Sequence, residues 1–302
     1  MFAKLLEQTG ISLERLQSFC LVAEAGGFTK AAKGNPAKQS LFSRQIKELE
    51  GFFGTELMRR MGRGIVLTPA GERLNVVARE CLASLWDFKT ESKGLAPEIA
   101  IGAGESLIRW RLLPQFAHIQ KHLPNVRLKF LNLPTSEIVR RLSDGMIDFG
   151  VIRKDAVRRP LQSTSLGIVG YSLFLSSGAA AKKKAGTDAS LLDGLPLATL
   201  EGNGIFRQEL EAVARRLRIA LNIQLECSSF PLVGSALEAG TIAAILPSTA
   251  GVELSRLGIK RVDLPILKSF DREICFAWNP RLFRIRAALE KASEVLSQAL
   301  CL

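Results

Sequence analysis

The chain has 302 residues, 47% hydrophobic and 23% charged, which is enough for two domains that each bury a core. Its 41 Lys and Arg against 29 Asp and Glu give a net charge of +12, a balance that suits a polyanionic partner. No uninterrupted apolar run reaches the ~18 residues of a membrane span, and MFAKLLEQTGISLERL at the N-terminus lacks the apolar stretch of a secretory leader, so the cytoplasm is the expected compartment.

In chain order, LERLQSFCLVAEA (13–25) sets Leu16, Phe19, Cys20 and Ala23 at helical spacing, and Gly26-Gly27 end it. Thr29 is placed to cap the next short helix with its hydroxyl, and Gly34-Asn35-Pro36 is a turn. The next helix spans 38–53. Phe42, Ile46, Leu49 and Phe53 form its core stripe. The other side carries Ser40, Ser43, Arg44 and Lys47, with Lys38 and Gln39 at the start and no acid until Glu48. Hydroxyls, an amide and cations are the groups that bond phosphates and base edges. Residues 28–68 hold 8 Lys and Arg against 3 acids, so the charge concentrates around this helix. Helix, short helix, turn and helix within about 40 residues is helix-turn-helix organisation.

Residues 56–69, ELMRRMGRGIVLTP, read as a small hairpin bearing Arg59, Arg60 and Arg63. Thr68-Pro69 signals a helix start. The long helix from about Ala70 to Ser92 has an apolar stripe of Leu74, Val77, Ala78, Cys81, Leu85 and Phe88, which is expected to pair with a second copy. Gly94-Leu95-Ala96-Pro97 is a hinge. Beyond it strands are expected at 98–103, 126–131, 147–152, 169–175, 196–200, 221–227, 242–246, 259–263 and 272–278. Helices are expected at 106–121, 135–144, 204–218, 230–239, 248–257 and 281–299. That alternation implies a mainly parallel sheet with helices on both faces.

Enzyme and cofactor motifs are weak. His118 and His122 have a metal-compatible spacing without an HExxH pattern, so no metal is expected. Gly202-Asn203-Gly204 lacks the third glycine of a dinucleotide loop, where Arg207 stands. There is no GxSxG elbow. The five cysteines form no CxxC pair, Cys227 reads as a packed small residue, and Lys182-Lys183-Lys184 reads as a solvated loop.

Residues 13–93 resemble the winged helix-turn-helix and linker helix of LysR-type transcriptional regulators. The resemblance rests on Phe28-Thr29-x-Ala31-Ala32, on Gln39, and on Ser43-Arg44-Gln45-Ile46-x-x-Leu49-Glu50. It continues through Gly54-x-x-Leu57, Arg60, Arg63 and Leu67-Thr68-x-Ala70-Gly71. It implies that Gln39, Ser43 and Arg44 face DNA and that Arg60 and Arg63 lie on the wing. With the acid-poor face, the expected DNA-binding set is Thr29, Lys38, Gln39, Ser40, Ser43, Arg44, Lys47, Arg60 and Arg63. The family usually has Leu near Asn35 and Ser-Gln-Pro where this chain has Lys38-Gln39-Ser40. Asn35 as N-cap with Pro36 at N1 offers a replacement helix start.

The second half is similar to that family's effector domain, which resembles periplasmic solute-binding proteins. The matching pieces are Ile101-Gly102, Leu112-Leu113-Pro114, Pro124-Asn125-Val126 and Leu142-x-x-Gly145-x-Ile147-Asp148. The implied organisation is a DNA-binding domain over 1–69, a linker and dimerisation helix over 70–93 and an α/β effector domain over 97–302. The effector domain divides into two Rossmann-like subdomains, about 97–165 with 267–302, and 166–266. Ligands of such sheets sit outside the carboxyl ends of strands. That selects Glu105, Ser106, Thr135 and Arg153 in one subdomain and Glu201, Asn203, Ser229 and Phe230 in the other. Glu105 and Thr135 match family positions that touch effectors, although many relatives have a hydroxyl where Glu105 stands. The expected ligand is small and polar, with a hydrogen-bond donor or cationic group for Glu105; the competing reading pairs Glu105 internally with Arg109 or Arg153. The expected function is therefore a sequence-specific, effector-responsive DNA-binding regulator, not an enzyme, acting as a homodimer or tetramer. The alternative is a small-molecule-binding protein or enzyme whose helical domain lacks DNA affinity.

Overall fold

The computed structural model describes residues 9–301 apart from Arg63, residues 182–190, Asn203, Arg284, Ile285 and Ala287. Helix α1 (Leu13–Ala25) begins at Ser12, whose hydroxyl accepts from the Arg15 N–H, and ends at Gly26 in the left-handed region. Helix α2 is Phe28–Ala31. Its N-cap is Gly27, so the cap expected at Thr29 is corrected: Thr29 lies inside the first turn, and its hydroxyl donates to Gln39 Oε1 at 3.3 Å.

Helix α3 (Pro36–Phe53) starts two residues before the expected Lys38. The Asn35 carboxamide accepts from the Lys38 N–H at 3.1 Å, and Pro36 occupies the first turn, where a missing N–H costs nothing. Phe42, Ile46 and Leu49 are buried with Leu16, Phe19, Cys20 and Val22 of α1. Phe53, expected in that stripe, is 37% exposed and lies edge-on against Phe52 instead. Strands β1 (Met58–Met61) and β2 (Gly64–Leu67) form an antiparallel ribbon, tied to the end of α1 by the Ile65 N–H donating to Gly26 O.

Helix α4 (Pro69–Glu91) is capped by the Thr68 hydroxyl, which accepts from the Gly71 N–H. Gly71 has a steric cause: a Cβ there would meet the Leu57 carbonyl oxygen at 2.0 Å. The expected apolar stripe of α4 splits. Leu74, Ala78 and Leu82 pack on the helix-turn-helix core, while Val77, Cys81, Leu85, Trp86 and Phe88 are exposed.

Beyond α4 lie two lobes. Strands β3 (Glu98–Ala103), β4 (Arg127–Asn132), β5 (Phe149–Arg153), β6 (Gln162–Val169) and β12 (Arg272–Trp278) form one sheet in the order β4-β3-β5-β12-β6. Strands β7 (Tyr171–Leu175), β8 (Pro196–Leu200), β9 (Asn222–Cys227), β10 (Ala243–Pro247) and β11 (Lys260–Val262) form the other in the order β11-β7-β10-β8-β9. The expected mainly parallel strands are divided between two mixed sheets. In each, four strands point the same way and one runs against them: β12 is antiparallel to β5 and β6, and β7 is antiparallel to β10 and β11. Strand β6 has no counterpart in the expected elements.

The chain crosses between lobes at Gly170 and again at Asp271. The flanking helices are α5 (Phe116–His122), α6 (Thr135–Ser143), α7 (Ser177–Ala181), α8 (Ile205–Leu217), α9 (Phe230–Ala236), α10 (Gly251–Arg256), α11 (Pro280–Phe283) and α12 (Ala288–Leu300). The helix expected over 106–121 is broken into Glu105–Leu107, a π turn over Ile108–Leu112, a 3₁₀ turn at Leu113–Gln115, and α5. Pro114 has no N–H to continue a ladder.

Candidate nucleic-acid interface and inter-lobe cleft

The polar face of α3 is open. Gln39, Ser40, Ser43, Arg44 and Lys47 line one shallow groove along it, closed at its far end by Glu48. Glu48 is neutralised from behind by Arg15 at 2.5 Å, so the groove stays cationic. Arg44 reaches Glu48 only at 3.9 Å, with 71% of its side chain exposed. Lys38 is exposed beside Gln39 at the helix start. A second hollow, about 720 Å³, lies between α2, α3 and the β1–β2 ribbon; Thr29, Lys30, Gln39, Arg60 and the backbone of Gly26, Gly27, Gly62 and Gly64 line it. Gln39 belongs to both hollows. The sequence-expected residues thus fall on one continuous surface, except Arg63, which lies outside the described residues. Lys30 and the Gly26-Gly27 backbone were not in the expected set.

The expected cleft residues divide. Arg153, at the end of β5, lines an inter-lobe cavity of about 470 Å³ with Lys154, Asp155, Ile205, Glu209, Asp271, Arg272 and Glu273. Ion pairs line its walls: Arg153 with Asp155 at 3.3 Å, Lys154 with Glu273 at 2.8 Å, and Arg272 with Glu209. Glu105, Ser106 and Thr135 are half-buried at the other strand ends. The Glu105–Leu107 segment lies against α9 of the second lobe. Arg109 bridges Glu253 and Arg153 bridges Asp155, while Glu105 remains an electrostatic neighbour of Arg109.

Two expected residues are already engaged. The Ser229 hydroxyl caps α9 by accepting from the Leu232 N–H, and the Phe230 ring packs edge-on to Phe206 at 4.9 Å and near Tyr171. Glu201 is exposed. Asn203 and Lys182-Lys183-Lys184 lie outside the described residues. The cavity residues contributed by α8 and the Asp271 crossover carried no local signal, because only the return of the chain at β12 brings them beside Arg153.

Residues 13–72 match the family model of the bacterial regulatory helix-turn-helix protein, lysR family, and residues 92–299 match that of the LysR substrate binding domain. The chain belongs to the LysR family. This LysR-type protein is a transcription regulator that binds DNA and responds to a small-molecule effector, and not an enzyme. It is 27% identical over 252 residues to a probable nitrogen assimilation transcriptional activator of Synechococcus elongatus, covering 80% of each chain. It is 26% identical over 296 residues to a probable RuBisCO transcriptional regulator of Thalassiosira pseudonana, covering 91% of this chain and 94% of that one. Its fold matches a full-length OxyR variant from Pseudomonas aeruginosa with a TM-score of 0.66 at 19% identity, over 97% and 95% of the two chains. Among the described residues of the LysR-type regulator, no helix is long and apolar enough to cross a membrane.

Proposed function

We propose that the regulator reads its operator by laying α3 in a major groove. Gln39, Ser43 and Arg44 meet base edges; Thr29, Lys38, Ser40 and Lys47 hold phosphates; and the ribbon bearing Arg60 and Arg63 lies alongside as a wing. The observation that carries this is the acid-poor surface running without a break from α3 to the ribbon. In this reading residues 1–69 form the DNA-binding domain, 70–93 the dimerisation helix and 97–302 the effector domain. Two subunits pair through the bare face of α4, dimers assemble into tetramers, and the protein works in the cytoplasm. Sequencing the fragments that the purified protein retains from sheared genomic DNA tests it. Recovery of a shared two-part motif supports the reading, and random recovery overturns it.

The effector cleft of this reading lies between the lobes, with Glu105, Ser106, Thr135 and Arg153 on one side and Glu201, Ser229 and Phe230 on the other. The ligand is small and polar, carrying a hydrogen-bond donor or cationic group for Glu105. The half-buried setting of Glu105 and Thr135, with Arg109 bridged to Glu253 and Arg153 to Asp155, supports it. Thermal-shift screening of small metabolites should find a compound that raises the melting temperature, and Glu105→Gln should cut that rise. An effector that binds Glu105→Gln and Thr135→Val as well as the parent places the cleft elsewhere.

A further inference from the structure

Arg15 stands in a poor place for a structural cation. It lies in the first turn of α1, where the helix dipole disfavours positive charge. Its guanidinium reaches across to α3, and Nε donates to Glu48 Oε2 at 2.5 Å. The other oxygen of that carboxylate, Oε1, faces Arg44 Nε at 3.9 Å, beyond hydrogen-bond range. Two cations therefore compete for one acid, and Arg15 holds it. Glu48 is also the single acid among the residues that line the two hollows of the candidate interface, and Arg15 lines neither hollow.

The fold has little need of this pair. The Ser18 hydroxyl donates to Gln45 Oε1 at 2.6 Å. Ser18 lies three residues after Arg15 and Gln45 three before Glu48, so the two bonds are successive rungs between α1 and α3. Beneath them Phe19, Cys20, Phe42, Ile46 and Leu49 are buried together. With 29% of the Arg15 side chain and 36% of the Glu48 side chain exposed, the pair is screened by solvent and adds little to stability. Its effect on the polar face of α3 is different in kind. A released Glu48 sits one turn after Arg44 on the same helix, the spacing at which an acid and an arginine pair. It would tie down Arg44 and leave a carboxylate where phosphates have to approach.

We propose that Arg15 is a positioning residue for DNA binding. By holding Glu48 it keeps Arg44 free for the nucleic acid, and Glu48 is an internal competitor that takes the place of a phosphate when Arg15 is lost. The inference rests on the reading of α3 as the DNA-binding face.

Arg15→Gln removes the cation and keeps an aliphatic stem for packing; Arg15→Lys keeps the cation. The full-length parent, these two variants, Glu48→Gln and the Arg15→Gln/Glu48→Gln double variant are titrated across a salt series. Two labelled duplexes serve as probes: the genomic fragment most enriched by the parent, and a mixed-sequence duplex of the same length. Melting curves are recorded in parallel. Arg15→Gln should bind about three- to tenfold more weakly than the parent and lower the salt slope by about 1. Arg15→Lys should stay within about twofold of the parent, and in the Glu48→Gln background Arg15→Gln should cost no more than about twofold, the scatter of additive effects. The melting temperature should hold in every variant. An equal loss in both Glu48 backgrounds would mean that Arg15 acts on DNA without Glu48, and would overturn the proposal. So would no loss in Arg15→Gln, a loss in Arg15→Lys as large as in Arg15→Gln, or a variant that no longer melts cooperatively. A parent that enriches no fragment overturns sequence-specific reading while the mixed-sequence duplex still tests this inference; a parent that binds neither duplex overturns both.

Discussion

Arg44 shows how much of the proposed DNA surface rests on single side chains. With 71% of the side chain in solvent and its one acidic neighbour held by Arg15, it contributes little to the fold. Arg44→Ala should weaken specific binding by roughly 1–3 kcal/mol, with an unchanged melting temperature, in titrations across a salt series. Equal affinity at every salt concentration would remove Arg44 from the contacts. Glu137 on α6 has the opposite character. Arg140 at 2.7 Å and Arg141 at 2.6 Å hold its carboxyl at about 2, below the ordinary 4.5. Because the folded value is the depressed one, its contribution is complete above pH 4.5 and is lost as the pH falls toward 2. Melting curves of Glu137→Gln should therefore lie below the parent's at neutral pH and converge with them in acid. A gap that persists in strong acid would assign the loss to packing.

Helix α4 carries two apolar faces with different duties. Leu74 belongs to the helix-turn-helix core, whereas Leu85 is 45% exposed and Phe88 71% exposed. Leu85→Glu should leave the melting temperature of the DNA-binding domain alone and give smaller assemblies in sedimentation. Leu74→Glu should instead lower the melting temperature, because it presses an unpaired charge on the chain's own core. Helices of this kind are legible in sequence because their signals are local. Ser12, Asn35 and Thr68 each cap the N-terminus of a helix, and Gly26 and Gly54 each close a C-terminus. Strand β6 was not legible. Gln162, Ser163, Thr164 and Ser165 are exposed on an edge strand, and its one neighbour, β12, lies more than a hundred residues away. The candidate DNA surface could be drawn from sequence for the same reason as the helices, since one helix face supplies most of it. The cleft was harder. Its Arg153 meets partners from α8 and the second crossover, and Phe230 spends its ring on Tyr171 and Phe206.

At the scale of the molecule, the lobes are joined by more than two crossovers. Trp110 rises from the π turn of the first lobe and is buried among Phe174, Val233, Leu246 and Leu254 of the second. Beside it Arg109 grips both oxygens of Glu253, at 2.8 and 3.1 Å. The aromatic contact should dominate. Trp110→Ala should cost about 3–5 kcal/mol and split the effector-domain transition in calorimetry as the lobes begin to melt separately. Glu253→Gln, removing a solvent-exposed pair, should cost at most about 1 kcal/mol. A single transition in Trp110→Ala would mean that the crossovers alone couple the lobes.

The place of β12 also bears on how the protein is made. It sits between β5 and β6 in the first sheet, although about 120 residues separate the end of β5 from its own synthesis. At ~5–20 residues per second that interval is on the order of six to twenty-four seconds. Throughout it Phe149, Val151 and Ile152 present an open strand edge as the chain leaves the ribosome. The helix-turn-helix and α4 emerge complete well before then. The nascent regulator therefore owns a finished DNA-reading end while the first lobe still lacks one of its interior strands. Chaperone capture of ribosome-bound chains should concentrate in the window between residues 153 and 272.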